Sequence, residues 1–217
     1  MRVGTKSVLF GAHCFLIHWM VVAIAWAKLF GFPWDFWLWA AFVVHDLGYW
    51  GRNDMDGPDG EDHVLLGGRI MGFLFGESWQ SFTVRHSRYW AKRMGLPVSQ
   101  LCGADKLAFV LMPAWLYLPM TRATGELAEY MQRSAERQAG GERFTAEESA
   151  MISSSDPQVW LKGLHSYTGR WVERHREGGE DNWTRRRRKG RSGARQVAAA
   201  GSEVGGQGEG VKGGANG

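Results

Sequence analysis

Histidines set inside long uncharged runs constrain this chain more than any other feature. From Val8 to Ala27 there is no Asp, Glu, Lys or Arg, a run of 20 residues and long enough to cross a bilayer, yet His13 and His18 lie within it. Arg2 and Lys6 ahead of the run, with Ala25-Trp26-Ala27 at its end, also fit a cleavable leader. An imidazole in lipid or in a leader's apolar stretch needs a polar partner. A second apolar run, Phe36 to Val44, ends directly in His45-Asp46, so the histidines recur where burial is expected. That recurrence favours a core built around a polar centre, with a membrane surface as one place for it to rest.

The chain has 217 residues, 44% of them hydrophobic, enough for one sizeable core with appendages and short for two enzyme-sized domains. Its 12 Trp and 11 Phe, against only 6 Pro, exclude a collagen-like chain and a wholly disordered one. Cys14 and Cys102 are too few for a disulfide framework or a four-cysteine zinc site, which points to a reducing, cytoplasmic setting. The formal charge of +4 is unevenly placed: Thr184 to Gly217 carries +6, leaving −2 for the rest. That Gly-rich segment lacks hydrophobic periodicity and is expected to be a disordered basic tail. Its run Arg185–Lys189 suits weak contact with nucleic acid or anionic lipid, although a merely solvated tail is the simpler reading.

Few stretches alternate as strands do, and the fold class expected is all-α. One helix is predicted from Thr5 or Ser7 through Phe30, stopped by Gly31 and Pro33, and a second from Trp34 to Leu47. Gly51 to Gly60 reads as a loop. Further helices are predicted over Glu61 to Phe75, Ser78 to Met94, from Ser99 to Pro113, Thr124 to Gln138, Thr145 to Ser153 and Pro157 to His175.

Taken singly, each histidine is most simply a hydrogen-bonded core residue. As an ordered set, His18, His45, Asp46, His63, His86 and Asp105 offer the imidazole and carboxylate ligands that Mn, Fe, Co, Ni and Zn accept, and helices can aim them inward together. The segments carrying them, His18-Trp-Met-Val-Val-Ala-Ile-Ala, Ala40-Ala41-Phe-Val-Val-His45-Asp46-Leu47-Gly48, His63-Val-Leu-Leu-Gly67, Arg85-His86 and Ala104-Asp105-Lys106-Leu107, resemble the HD superfamily of metal-dependent phosphohydrolases. The resemblance runs from His18 to Leu118, about half the chain. It implies an HD-domain-like helical bundle in which His18, His45 and Asp105 hold one divalent transition metal and His63 and His86 a second, with Asp46 shared and catalytic. It implies hydrolysis of a nucleotide or other small phosphate ester through a metal-activated water, with Arg88 and Lys106 the cations set to steady the phosphoryl oxygens. Many relatives place a lysine two residues after the Leu-equivalent of the doublet; Tyr49 stands here, so that lysine's role does not carry over. His13 and Cys14 then fall to the core.

The same six-ligand set is used by mixed-valent di-iron oxygenases of this fold, a second expectation, and a membrane-associated protein without enzymatic activity is a third. The organisation expected is a metal-binding helical core over 1–120, additional helices packing on it over 121–183, and the tail over 184–217. The acidic segment Asp54, Asp56, Asp59, Glu61, Asp62 lacks the oxygen spacing of a calcium loop and is expected to be a mobile, lid-like connection. Trp34, Trp37, Trp39, Trp79, Tyr89 and Trp90 are candidates to wall a nucleobase pocket, with core or surface anchoring as the plainer alternative.

Overall fold

The computed structural model describes residues 1–140 and 144–176. The expected tail, Thr184 to Gly217, lies outside the described residues, as does the end of the 121–183 region. Among the described residues the protein is all-helical, with eleven α-helices and no strand. They are α1 (Val3–Phe10), α2 (His18–Phe30), α3 (Phe36–Val44), α4 (Val64–Phe75), α5 (Glu77–Val84), α6 (Arg88–Met94), α7 (Gln100–Leu111), α8 (Ala114–Thr124), α9 (Glu126–Ala139), α10 (Ala146–Ile152) and α11 (Pro157–His175).

Local chemistry accounts for most boundaries. Asp35 accepts from the Trp37 amide and opens α3, while Thr145 and Glu148 form a reciprocal capping box on α10. Asp156 caps α11 and Pro157 occupies its first turn, where a missing amide costs nothing. Pro113 separates α7 from α8, which meet at 100°. Among the described residues no single helix is long and apolar enough to cross a membrane.

The first predicted helix is in fact two. Between α1 and α2 the chain turns through Gly11 to Ile17, because the buried Glu126 carboxylate reaches in from α9 and takes the Ala12 amide at 3.2 Å and the Ser7 hydroxyl at 2.6 Å. A Cβ on Gly11 would stand 1.9 Å from Glu126 Oε2, so only glycine lets the backbone come this close. Thr124 and Tyr130 donate to the same carboxylate. The predicted helix from Ser78 to Met94 is likewise split, with His86 and the cap Ser87 between α5 and α6.

The core lies in four regions, the smallest being Val8, Tyr49 and Met55 beside α1. Val22, Trp26, Phe42, Met71 and Leu101 pack where α2, α3, α4 and α7 meet; Leu118, Leu127, Ile152, Trp160 and Leu161 fill the α8–α11 half. Ala91, Val98, Cys102, Trp171 and Val172 join α11 to α6 and α7. Trp160 is wholly buried and still donates its indole N–H to Ser134 Oγ at 2.8 Å.

Glu126→Ala would leave three hydroxyls and a backbone amide without their acceptor. The expected loss is about 3 kcal/mol in urea unfolding. A loss below about 1 kcal/mol would mean that water replaces the carboxylate and that the network does not hold α1 against α9.

Candidate metal centre

Six side chains converge from five places in the fold. His18 is the first residue of α2, His45 and Asp46 follow the end of α3, and His63 closes a 3-10 turn (Gly60–His63) that leads into α4. His86 occupies the break between α5 and α6, and Asp105 projects from the middle of α7. A second 3-10 turn, Leu47–Tyr49, follows Asp46. Gly48 in that turn touches the His63 backbone: a Cβ there would sit 1.8 Å from the His63 carbonyl oxygen. The His-Asp doublet and His63 are thereby held side by side.

Three of the histidines use one local device. In each, the ring reaches back to the backbone carbonyl three residues before it. His45 Nδ1 lies 2.9 Å from the Phe42 carbonyl, His63 Nδ1 2.7 Å from that of Gly60, and His86 Nδ1 2.6 Å from that of Thr83. A carbonyl only accepts, so Nδ1 carries the proton and, in the neutral ring, Nε2 presents a bare lone pair inward.

Those lone pairs face one another and Asp46. Asp46 Oδ1 is 3.5 Å from His63 Nε2 and 3.3 Å from His86 Nε2; Oδ2 is 3.0 Å from His18 Nε2 and 3.3 Å from His45 Nε2. Asp105 Oδ1 adds a second carboxylate 3.2 Å from His18 Nε2. His63 and His86 approach Nε2 to Nε2 at 3.1 Å, and His18 and His45 at 3.3 Å. Two bare lone pairs at such distances repel unless a cation or proton lies between them. Asp46 Oδ2 is moreover buried without a hydrogen-bond partner. The donors form two groups, His18–His45–Asp46–Asp105 and Asp46–His63–His86, each compact enough to hold one metal ion.

Without metal, protons take the cation's place. Burial works against the His18 imidazolium, but Asp105 and Asp46 outweigh it and raise its pKa to about 9. At His45 burial is again overcome, chiefly by the Asp46 charge, and the pKa rises to about 10. Burial would raise Asp46 and Asp105, yet the neighbouring His45 and His18 hold both well below the usual carboxylate range. His63 goes the other way: burial takes it down to about 3 despite the Asp46 charge, so it stands neutral and ready to ligate.

Among the neighbours of the cluster one, His13, departs from expectation. His13, assigned to the core from sequence, faces the site instead, with Nε2 3.9 Å from Asp46 Oδ2 and its ring 4.5 Å from that of Tyr49. Its Nδ1 meets Ser7 Oγ at 2.9 Å, and Ser7 is in turn held by Glu126. Cys14 is buried in the core, as expected, and its thiol donates to the Leu9 carbonyl. Tyr49 stacks on His63 at 4.0 Å, nearly parallel, and burial keeps its phenol protonated. Arg88, opening α6, and Lys106, beside Asp105 on α7, both lie over the Trp171 ring, at 5.4 and 5.6 Å.

The acidic segment is tied down rather than lid-like. Asp59 pairs with Arg52 at 2.8 Å, Asp54 accepts the Gly60 amide, Asp56 pairs with Arg137, and Glu129 takes the Met55 and Asp56 amides. Nor do the six aromatic residues wall one pocket. Trp34, Trp37, Trp39 and Trp79 gather with Phe32, Phe75 and Phe82 at the far end of α2, α3 and α4, whereas Trp90 donates its indole N–H to the Glu61 carbonyl. The crevice that reaches His13, His18, His45 and Asp46 is walled by Val8, Phe15, Trp19 and Leu47.

The class defined by these observations is an all-helical protein with a buried histidine–aspartate cluster able to hold metal. No protein family, curated protein or solved structure matches the chain.

Because His18 and His45 are protonated below about 9 and 10, protons compete with a cation, and metal affinity should climb as pH rises from neutral toward those values. In the metal-free protein the same raised pKa values stabilise the fold fully below about 6.5 and cease to do so above 9 to 10. Calorimetric zinc titration at pH 7 in buffers of different ionisation heat should report at least about one proton released. Heats that do not depend on the buffer would mean that the pair is neutral.

Proposed function

We propose that the protein is a metal-dependent phosphohydrolase of the HD type, acting on a small phosphate ester of which nucleotides are one class. The observation that carries the reading is the division of Asp46: one carboxylate oxygen faces His63 and His86, the other His18 and His45. A carboxylate set between two imidazole-rich groups suits a two-metal site, and the ordered set His18, His45-Asp46, His63, His86, Asp105 resembles the HD pattern. In this reading His18, His45, Asp105 and Asp46 would hold one ion, and His63 and His86, with the same Asp46, the other. Bound divalent ions supply a water of lowered pKa and charge to offset that of the phosphoryl oxygens.

The chain's own residues do the positioning. The Phe42, Gly60 and Thr83 carbonyls hold three imidazoles in one tautomer and orientation. The crevice walls of Val8, Phe15, Trp19 and Leu47 limit water around the substrate. Arg88 and Lys106 are assigned to the substrate's non-bridging oxygens, with the Trp171 ring fixing their approach.

Elemental analysis of protein purified without chelator or affinity-tag metal, followed by phosphate release from a panel of phosphate esters, tests the reading. About two transition-metal equivalents are expected. Asp46→Asn should lose both metal and turnover, since one side chain serves both groups. Arg88→Ala should keep its metal and raise KM by about tenfold or more. Phosphate release undiminished in Asp46→Asn would remove the mechanism; iron with oxygen uptake and no phosphate release would reassign the site to oxygenase chemistry.

A further inference from the structure

The geometry points to a membrane-docking surface at the end of the molecule opposite the metal centre: an exposed aromatic corner made by Phe32, Trp34, Phe36 and Phe73, whose occupant is an anionic lipid bilayer. The placement follows from the helices. His18 starts α2 and His45 follows α3, and their rings meet, so α2 and α3 run antiparallel with the Gly31–Asp35 connection at their other end. There Phe75, the last residue of α4, packs its ring 4.1 Å from that of Trp37. The corner is thus the far end of three helices, about 18 Å from the metal cluster along the 13 residues of α2.

Large aromatic side chains are presented to solvent there. Trp34 is 86% exposed, Phe73 90%, Phe36 71% and Phe32 56%, with Leu74 half in solvent beside them. The Phe32 and Trp34 rings lie 4.5 Å apart and Phe36 packs beside Trp37, and exposed aromatic groups of this kind mark an interaction site rather than ordinary surface. On the outer face of α2, exposed Met20 and Ile24 lead at helical spacing to the exposed Lys28 beside the corner. From Ser7 to Trp34 Lys28 is the only residue with a permanent charge, and Asp35 is engaged as the cap of α3. A lysine at the margin of a tryptophan- and phenylalanine-rich tip is the arrangement that seats in a headgroup layer: rings at the acyl boundary, the ammonium reaching back to phosphate.

The charge that selects an anionic bilayer comes from the sequence that follows α11. Trp171 and Val172, near the end of α11, share a packed cluster with Cys102, and Leu29, the penultimate residue of α2, packs against that cluster. The run Arg185–Lys189 begins nine residues after Arg176, a reach of up to about 30 Å when extended. An apolar tip and a polybasic run, each weak by itself, together make a stable membrane attachment.

Flotation with vesicles of phosphatidylcholine mixed with phosphatidylglycerol, compared with phosphatidylcholine alone, tests this on the full chain. Wild type should float with the mixed vesicles and only weakly with the neutral ones. The triple variant Trp34→Ser, Phe36→Ser, Phe73→Ser should bind the mixed vesicles at least about tenfold more weakly while unfolding at the wild-type temperature, because all three side chains lie in solvent. Replacing Arg185–Lys189 by serine should reduce binding to the level seen on neutral vesicles. No flotation of wild type, or undiminished flotation of the triple variant, would overturn the assignment. So would a concentration-dependent wild-type dimer that the triple variant abolishes, since the occupant would then be a second copy.

Discussion

The shared carboxylate of Asp46 is the interaction on which the arrangement of this molecule turns. For its two oxygens to face different imidazole pairs, α2 must begin, α3 must end and α4 must begin around one point, and α5 must stop short of α6 beside it. Four helix boundaries are therefore gathered at this one point. Burying a carboxylate among four imidazoles is costly unless each lone pair finds positive charge. Protons on His18 and His45 fill that need in the metal-free chain, and a bound cation would do the same.

Burial of the centre and exposure at the opposite end belong to one design. The α2–α3 pair is almost free of charged side chains, and its inward face supplies Val22, Trp26 and Phe42 to the core beneath the metal ligands. Its outward face and tip keep their apolar character in solvent. A sequence made only to bury its core would carry charged residues there; this one separates reactive polarity at one end from apolar surface at the other.

Much of the centre was legible because the histidines end apolar runs. His45 after Phe36–Val44, and His18 within Val8–Ala27, could be buried only with partners, and those partners proved to be each other and two aspartates. The span of α11 was equally plain, fixed by Asp156, Pro157 and the fading of apolar residues after Val172. The break after Phe10 was not legible, since its cause is a carboxylate more than a hundred residues away in sequence, Glu126. His13 was misplaced with it: in a continuous helix it would have been core, and only the turn at Gly11 swings it toward Asp46. The break at His86 did carry a signal, Ser87 capping Trp90, which a long apolar-periodic reading passed over. Aromatic residues gave the poorest guide, because a tryptophan is equally suited to a pocket wall, a core and a surface, and only tertiary placement distinguishes them.

One carboxylate between two donor groups also makes the groups thermodynamically inseparable. An ion in either group fixes the rotation and charge of Asp46 for the other, so whatever the first ion does to the second's affinity, the second does in equal measure to the first. In the proposed two-metal reading that coupling would be a balance: a first ion would orient the free oxygen toward the second, and the charge of one cation would oppose the other.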